Sequence, residues 1–308
     1  MTRAQWLDGL VVRAQSGFFT VALHDGRLLV CHLRGRLKKG RREGDLAAIG
    51  DAVQVSALTE ETGMIESVAP RQRALIRLDP TPRGVYQQVI VANPDQAVFV
   101  FACANPAPRL GMLDRFLVIA ERQGIPVLIV ANKADLLGAE GAEAIFGVYP
   151  PLGYPVIYTS VVTNLGMEQL RTQLTGKLSV LAGPSGVGKS SLLNTLQTDL
   201  GLQVRSVSLA TQKGRHTTVV RQLFPLEGGG YVADTPGLKA LALWDVMPEE
   251  LDGYFPELRE RVHLCLYNDC THLPHEEGCA VRAAVQAGEI APSRYRSYVN
   301  LRTGDEND

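Results

Sequence analysis

The feature that most constrains this chain is Gly183-Pro184-Ser185-Gly186-Val187-Gly188-Lys189-Ser190, a loop of the form Gly-x-x-x-x-Gly-Lys-Ser. It directly follows the apolar run Leu178-Ser179-Val180-Leu181 and precedes the helical pattern Ser191-Leu192-Leu193-Asn194-Thr195-Leu196. Strand, loop and helix in that order are what a phosphate-binding loop needs. Glycines let backbone N–H groups wrap phosphates without Cβ clashes, and the helix N-terminus adds its dipole. Lys189 is expected to reach the β- and γ-phosphates, and the Ser190 hydroxyl to ligate Mg²⁺. Ser191 completes the expected nucleotide-binding segment.

Further along, Asp234-Thr235-Pro236-Gly237 ends the strand-like Gly230-Tyr231-Val232-Ala233. Asp234 suits a second Mg²⁺ position, usually through water, and the Gly237 N–H can approach a γ-phosphate. Between the two motifs lies Lys213-Gly214-Arg215-His216-Thr217-Thr218, a polar stretch suited to a mobile loop. Either Thr217 or Thr218 can offer its hydroxyl to Mg²⁺.

Asn132-Lys133-Ala134-Asp135 closes another apolar strand, Val127–Val130. A carboxylate there accepts two hydrogen bonds from guanine N1–H and its exocyclic amine. Adenine offers neither donor and would leave the carboxylate unpaired, which costs several kcal/mol. Asn132 and the Lys133 stem are expected to brace the base and the neighbouring loops. The plainer alternative makes Asp135 a helix N-cap before Leu136-Leu137. Thr159-Ser160, after the strand Pro155–Tyr158, can offer backbone N–H to guanine O6.

The order of these pieces is unusual. Ordinary GTPases place the phosphate loop first and the Asn-Lys-x-Asp segment late, whereas here segments 132 and 159 precede the loop at 183. A circular permutation keeps the same doubly wound sheet, as close termini allow. It also makes the Asp234–Gly237 segment feed directly into the C-terminal part of the chain, so a γ-phosphate-dependent shift there would be passed on covalently.

Composition sets the rest. With 308 residues, 45% of them hydrophobic and 20% charged, the chain is an ordinary globular, multidomain protein. No run of 18 apolar residues occurs and the N-terminus lacks the apolar core of a secretion signal. The formal net charge of −1 hides a gradient, +2 over residues 1–71, +4 over 72–239 and −7 over 240–308. These changes accompany changes of pattern, and three domains are expected: 1–71, 72–240 and 241–308.

In the first domain, short β-rich runs at Leu10–Val12, Phe18–Leu23, Arg27–Cys31 and Asp51–Val55 are separated by Gly17, Asp25-Gly26, Gly50 and Thr62-Gly63. The pattern predicts a small β-barrel, of OB-fold type. Residues 27–42 hold Arg27, Arg34, Arg36, Lys38, Lys39, Arg41 and Arg42 and no acidic residue, an electrostatic footprint for an RNA backbone. Trp6 and Phe18-Phe19 are read as core residues before stacking platforms. From residue 97, buried strands alternate with helical patterns, which predicts a mostly parallel sheet flanked by helices.

The last domain reads as helical and acidic. Cys265, Cys270, His272 and Cys279 supply three thiolates and an imidazole, the donor set of a closed tetrahedral structural zinc site. An odd total of five cysteines, three of them clustered here, fits a cytoplasmic protein with a metal better than a secreted disulfide protein. Cys31 and Cys103 are expected to be buried apolar side chains. Tyr295, Tyr298 and Val299 form a helical stripe expected to pack.

Together these residues resemble the RsgA (YjeQ/YloQ) family of circularly permuted GTPases. The resemblance spans barrel, permuted motif order, the Gly214-Arg215-His216-Thr217-Thr218 loop, the cysteine segment and Ser293-Arg294-Tyr295-Arg296-Ser297-Tyr298. It implies GTP hydrolysis coupled to late maturation of the small ribosomal subunit, an OB-fold N-terminal domain and a zinc-binding C-terminal one. Six residues separate His272 from Cys279, one more than the family's usual form, which leaves His275 as an alternative ligand. The resemblance also makes His216 a candidate for orienting the attacking water, the alternative being an exposed loop histidine. Where Ras-like enzymes carry a glutamine after the switch glycine this chain has Leu238, so slow intrinsic turnover is expected. Other readings are a P-loop ATPase or kinase, which Asp135 opposes, and a GTP-gated RNA-binding module with negligible turnover. A monomer is expected.

Overall fold

The computed structural model describes residues 6–38, 44–81, 84–197, 221–234 and 246–305. Five strands come first: β1 (Leu7–Gln15), β2 (Phe18–Leu23), β3 (Leu28–Leu33), β4 (Ala52–Ala57) and β5 (Thr62–Val68). Alternation along β2 and β3 buries Phe19, Val21, Leu23, Leu29, Cys31 and Leu33 and turns the intervening residues outward. Antiparallel pairs β1–β2, β2–β3 and β4–β5, the parallel pair β3–β5 and closure of β4 onto β1 complete a five-stranded barrel of OB type. Thr62-Gly63, expected as a break, instead starts β5. Gly63 is there for packing: a Cβ would lie 2.7 Å from Val55 Cγ1 and 3.1 Å from the Cys31 sulfur.

The hairpin β6 (Ala74–Thr81) and β7 (Gly84–Ala92) forms its own two-stranded sheet, which the sequence pattern did not reveal. The strand–helix alternation then begins. In order come β8 (Gln96–Ala102), α1 (Leu110–Arg122), β9 (Val127–Asn132), α2 (Gly138–Phe146), β10 (Val156–Thr159), α3 (Met167–Leu174), β11 (Leu178–Ala182) and α4 (Lys189–Leu196). After them come β12 (Arg221–Pro225) and β13 (Tyr231–Asp234). Every residue of β8 and β11 is buried, as strands covered on both faces require. α1 turns Leu113, Phe116, Leu117 and Ala120 into the core.

By compactness the chain divides into two bodies. One contains Met1–Ala97, Glu168–Ala182 and Ser190–Leu238. Within it β11 runs parallel to β13, β12 pairs antiparallel with β13, and the end of β1 continues the sheet through Arg13↔Gln222 and Ala14↔Arg221. The other contains Val98–Met167, Gly183–Lys189 and Lys239–Asp308, with β9 pairing parallel to β10.

In that second body the C-terminal part is built from 3-10 turns and three helices, α5 (Pro256–Arg259), α6 (Ala280–Gln286) and α7 (Pro292–Thr303). Leu251, Phe255, Leu258, Val281, Ile290 and Tyr298 share one core with Val118 of α1. Beside this core lies a fully buried ion cluster. Arg294 of α7 donates to Glu257 of α5 at 2.7 Å and to Asp114 of α1 at 2.5 Å, and its guanidinium lies 4.5 Å from the Phe255 ring centroid. Tyr149 adds a hydroxyl bond to Asp114 at 3.0 Å. Among the described residues no helix is long and apolar enough to cross a membrane.

Candidate functional site

β11 delivers the chain into the phosphate loop, and the loop's glycines are there for steric reasons. Gly183 has φ +152, and a Cβ on it would stand 2.1 Å from the Val100 carbonyl oxygen. At Gly188, φ +96, a Cβ would stand 2.5 Å from the Asn132 amide nitrogen. The loop is therefore seated directly against β8 and Asn132. Lys189 opens α4, and its ammonium donates to the Gly183 and Pro184 carbonyls, each at 2.8 Å. Ser190 and Ser191 fall in the first turn of the same helix.

Asn132 ends β9 buried, 2% exposed. Its Nδ2 donates to the Val187 carbonyl at 2.8 Å, and its Oδ1 accepts from the Thr159 hydroxyl at 3.0 Å. Lys133, in a left-handed conformation at φ +60, donates to the Gly186 carbonyl at 2.8 Å and to the Asn105 carbonyl. These two side chains thus hold neighbouring loops through three backbone carbonyls, two of them in the Gly183–Ser190 loop. Ala134 is buried under the turn, and Asp135 is exposed within a 3-10 turn. α2 has Leu137 at its cap, so Asp135 is not that helix's N-cap. The Ser160 amide is engaged with the Leu165 carbonyl at 3.0 Å, and the Ser160 hydroxyl accepts from the Thr163 amide.

Asp234 is the last residue of β13, in register with Leu181 of β11, at the strands' carboxyl ends where open α/β sheets bind ligands. His216, Thr217, Thr218 and Gly237 lie outside the described residues, as do Lys39, Arg41 and Arg42. Lys38 ends a 3-10 turn that starts at Gly35. The barrel cations Arg34 and Arg36, expected to face RNA, also meet a carboxylate that no local pattern revealed. Glu66 of β5 accepts both oxygens' bonds from Arg34 at 2.6 Å and lies 3.6 Å from Arg36. The hydrogen bond from Arg34 holds the Glu66 carboxyl below its ordinary range.

The four candidate metal ligands converge. The donor atoms of Cys265, Cys270, His272 and Cys279 all lie within 4.8 Å of one another, a spacing that fits one tetrahedral ion with thiolate and imidazole ligands. His272 Nδ1 faces the Cys265 and Cys279 sulfurs at 3.5 Å each, and its Nε2 lies 3.3 Å from Asp252 Oδ2. That carboxylate fixes the ring so that Nδ1 is the nitrogen presented to a metal. His275 is exposed and outside the cluster. Burial pushes the Cys270 thiol up to about 12 and raises that of Cys279, so these two disfavour thiolate unless a cation is bound. Tyr295 and Tyr298 donate to the His272 and Thr271 carbonyls at 2.7 and 2.9 Å, packing the ligand loop on α7. Asp252 went unnoticed in the sequence because it sits 20 residues from its partner with no spacing signal.

The profile of the RsgA GTPase family matches residues 68–244, and that of the RsgA N-terminal domain matches residues 8–65. The chain belongs to the RsgA GTPase family. It is 45% identical over 297 residues to "Small ribosomal subunit biogenesis GTPase RsgA" of Gemmatimonas aurantiaca, covering 96% of each chain. The protein of the same name from Phocaeicola vulgatus is 36% identical over 299 residues, again 96% of each. In structure the chain is similar to YjeQ of Thermotoga maritima, with TM-score 0.79, 35% identity and coverage of 99% and 100%. It is similar also to YloQ, described as a circularly permuted GTPase, with TM-score 0.74, 30% identity and coverage of 99% and 96%. The RsgA family assignment makes this chain a GTPase of ribosome biogenesis, with an OB-type barrel, a central GTPase domain and a C-terminal Cys/His region.

Proposed function

We propose that this RsgA-family chain binds the small ribosomal subunit and its rRNA, and couples GTP hydrolysis to late maturation of that subunit. It works as a monomer in the cytoplasm, with residues 1–71 contacting RNA, 72–240 hydrolysing GTP and 241–308 folded on zinc. The names of its relatives support the ribosomal half. The observation that carries the nucleotide half is the hydrogen bonding of the base-reading segment to the phosphate loop, Asn132 to Val187 and Lys133 to Gly186. Guanine recognition by Asp135 and phosphate binding by residues Gly183–Ser191 then share one frame, so a correctly read base places the γ-phosphate.

Mg²⁺, when bound, spreads the charge that develops on the phosphates. Ser190 and Asp234 have the hard oxygen donors for it, with Thr217 or Thr218 as a further ligand and Gly237 beside the γ-phosphate. Lys189 neutralises the transferred group. Leu238 cannot orient water, so intrinsic turnover is slow, and His216 supplies that role when the small subunit is engaged. Phosphate contacts come from Arg34, Arg36, Lys38, Lys39, Arg41 and Arg42. The zinc ligands are Cys265, Cys270, His272 and Cys279.

Affinities for GTP, ATP and XTP test the nucleotide half: Asp135→Asn is expected to move preference toward XTP by roughly a hundredfold. An unchanged preference would remove Asp135 from base reading. Hydrolysis measured with and without purified small subunits tests the other half, and no acceleration would sink it. Turnover in His216→Ala falling while GTP affinity holds would support the histidine's role; unchanged turnover would remove it.

A further inference from the structure

β2 and β3 place two rings side by side on the outside of the barrel. Phe18 pairs with His32 across the hairpin, and their centroids are 4.3 Å apart at 55°. Phe18 was expected in the core, yet half of it (50%) is exposed, while its neighbour Phe19 is buried. Alternation is the reason: Phe18, Val30 and His32 all occupy outward positions. Two residues beyond His32 on the same strand path stands Arg34, joined through Glu66 to Arg36. Arg36 in turn lies over the ring of Trp6, 5.9 Å from its centroid, and Trp6 is 45% exposed.

One exposed ring alone is ordinary. Here exposed rings stand at both ends of a track with two guanidinium groups between them. That alternation matches one ligand chemistry, flat bases joined by phosphates. Duplex RNA hides its base faces and would leave the rings without partners, whereas a single strand presents both features. We propose that this track, Phe18/His32 to Arg34/Arg36 to Trp6, is a binding site for single-stranded RNA, with bases stacked on Phe18 and Trp6 and a phosphate on the exposed outer edges of the two guanidinium groups, away from Glu66. The inference rests on the barrel's reading as an RNA-contacting domain and adds to it which strand form is bound and by which rings.

Fluorescence anisotropy of the full chain tests this, with a labelled RNA single strand of about 12 nucleotides and a duplex of the same length. Phe18→Ala and Trp6→Ala are each expected to weaken single-strand binding about tenfold without altering its salt dependence, and to leave duplex binding unchanged. Arg36→Ala should flatten the salt dependence instead. Phe18→Trp keeps a stacking face and should bind at least as well as the parent, which guards against a fold defect in the alanine variant, as does its melting temperature. Single-strand binding within twofold of the parent in both alanine variants would overturn the track while leaving RNA contact by the barrel intact. Equal losses on duplex and single strand would also overturn it. Failure of the parent to bind RNA at all would overturn the RNA-contact reading too.

Discussion

The barrel and the C-terminal region each hold an arginine on carboxylates, and they depend on it in opposite ways. Arg34 is half in solvent, its guanidinium on Glu66 at the rim of a barrel already closed by five strand pairings. Arg294 is 1% exposed, lies between Asp114 and Glu257, and sits in a region of short helices and 3-10 turns with no strands among its described residues. Backbone ladders hold the first region, so its fold does not depend on its ion pairs. Side-chain chemistry holds the second, through a buried ion cluster and a Cys/His cluster that could hold a metal, on one thin core. Glu66 is itself 2% exposed but keeps Arg36 and the Ser56 hydroxyl if Arg34 is lost, whereas Asp114 and Glu257 share Arg294, and a buried charge that loses its partner keeps its full desolvation cost.

The largest expected effect is metal loss. Chelation, or Cys279→Ser, should abolish hydrogen-exchange protection over residues 262–280 while the barrel strands keep theirs. Structural zinc contributes on the order of 10 kcal/mol in small domains, too much for this core to replace. Uniform protection in both regions after complete zinc removal would break the comparison. Next comes Arg294→Ala, which strands two buried carboxylates and is expected to cost about 3–5 kcal/mol in denaturant unfolding. A loss under about 1 kcal/mol would place Arg294 with the surface arginines.

Asp252→Asn should lower zinc affinity roughly tenfold to a hundredfold, read by competition with a chromophoric chelator, because the imidazole loses the carboxylate that orients it. The smallest effect belongs to Arg34→Ala, which should lower the melting temperature only a little, because Arg36 and Ser56 still meet the buried Glu66 carboxylate, yet reduce the salt dependence of RNA binding. The pH dependence follows from the lowered Glu66 carboxyl. A carboxylate held below its ordinary value of 4.5 contributes stability above that pH and loses it as pH falls through the folded value. Acid titration of the barrel should therefore show a loss below pH 4.5 that Arg34→Ala reduces, Arg34 being the largest of the groups that lower the carboxyl.

Much of the nucleotide site was legible because its chemistry is local. A glycine-rich loop between strand and helix binds phosphate with its own backbone, so eight consecutive residues carry the information. The four residues that could hold a metal fall within a short segment for the same reason, although only the fold gathers His272 with the cysteines and leaves His275 exposed. What the letters hid were pairings across the chain. Asp114 and Arg294 are 180 residues apart, and Arg34 and Glu66 are 32. The run 27–42 looked purely basic because its counter-charge comes from β5. Thr62-Gly63 looked like a turn because a glycine in a strand signals only that space is short, not whose atoms fill it.

The sequence by itself determined the family, the permuted order of the nucleotide motifs, the barrel and the donor set for a metal, all of which depend on neighbouring residues or on alternation along one strand. Tertiary structure alone decided which charges are paired, which aromatic rings are exposed and what orients the ligand histidine. Those outcomes depend on which distant segments meet. A burial pattern read along one strand cannot say which of two adjacent phenylalanines faces the core until its pairing register is set.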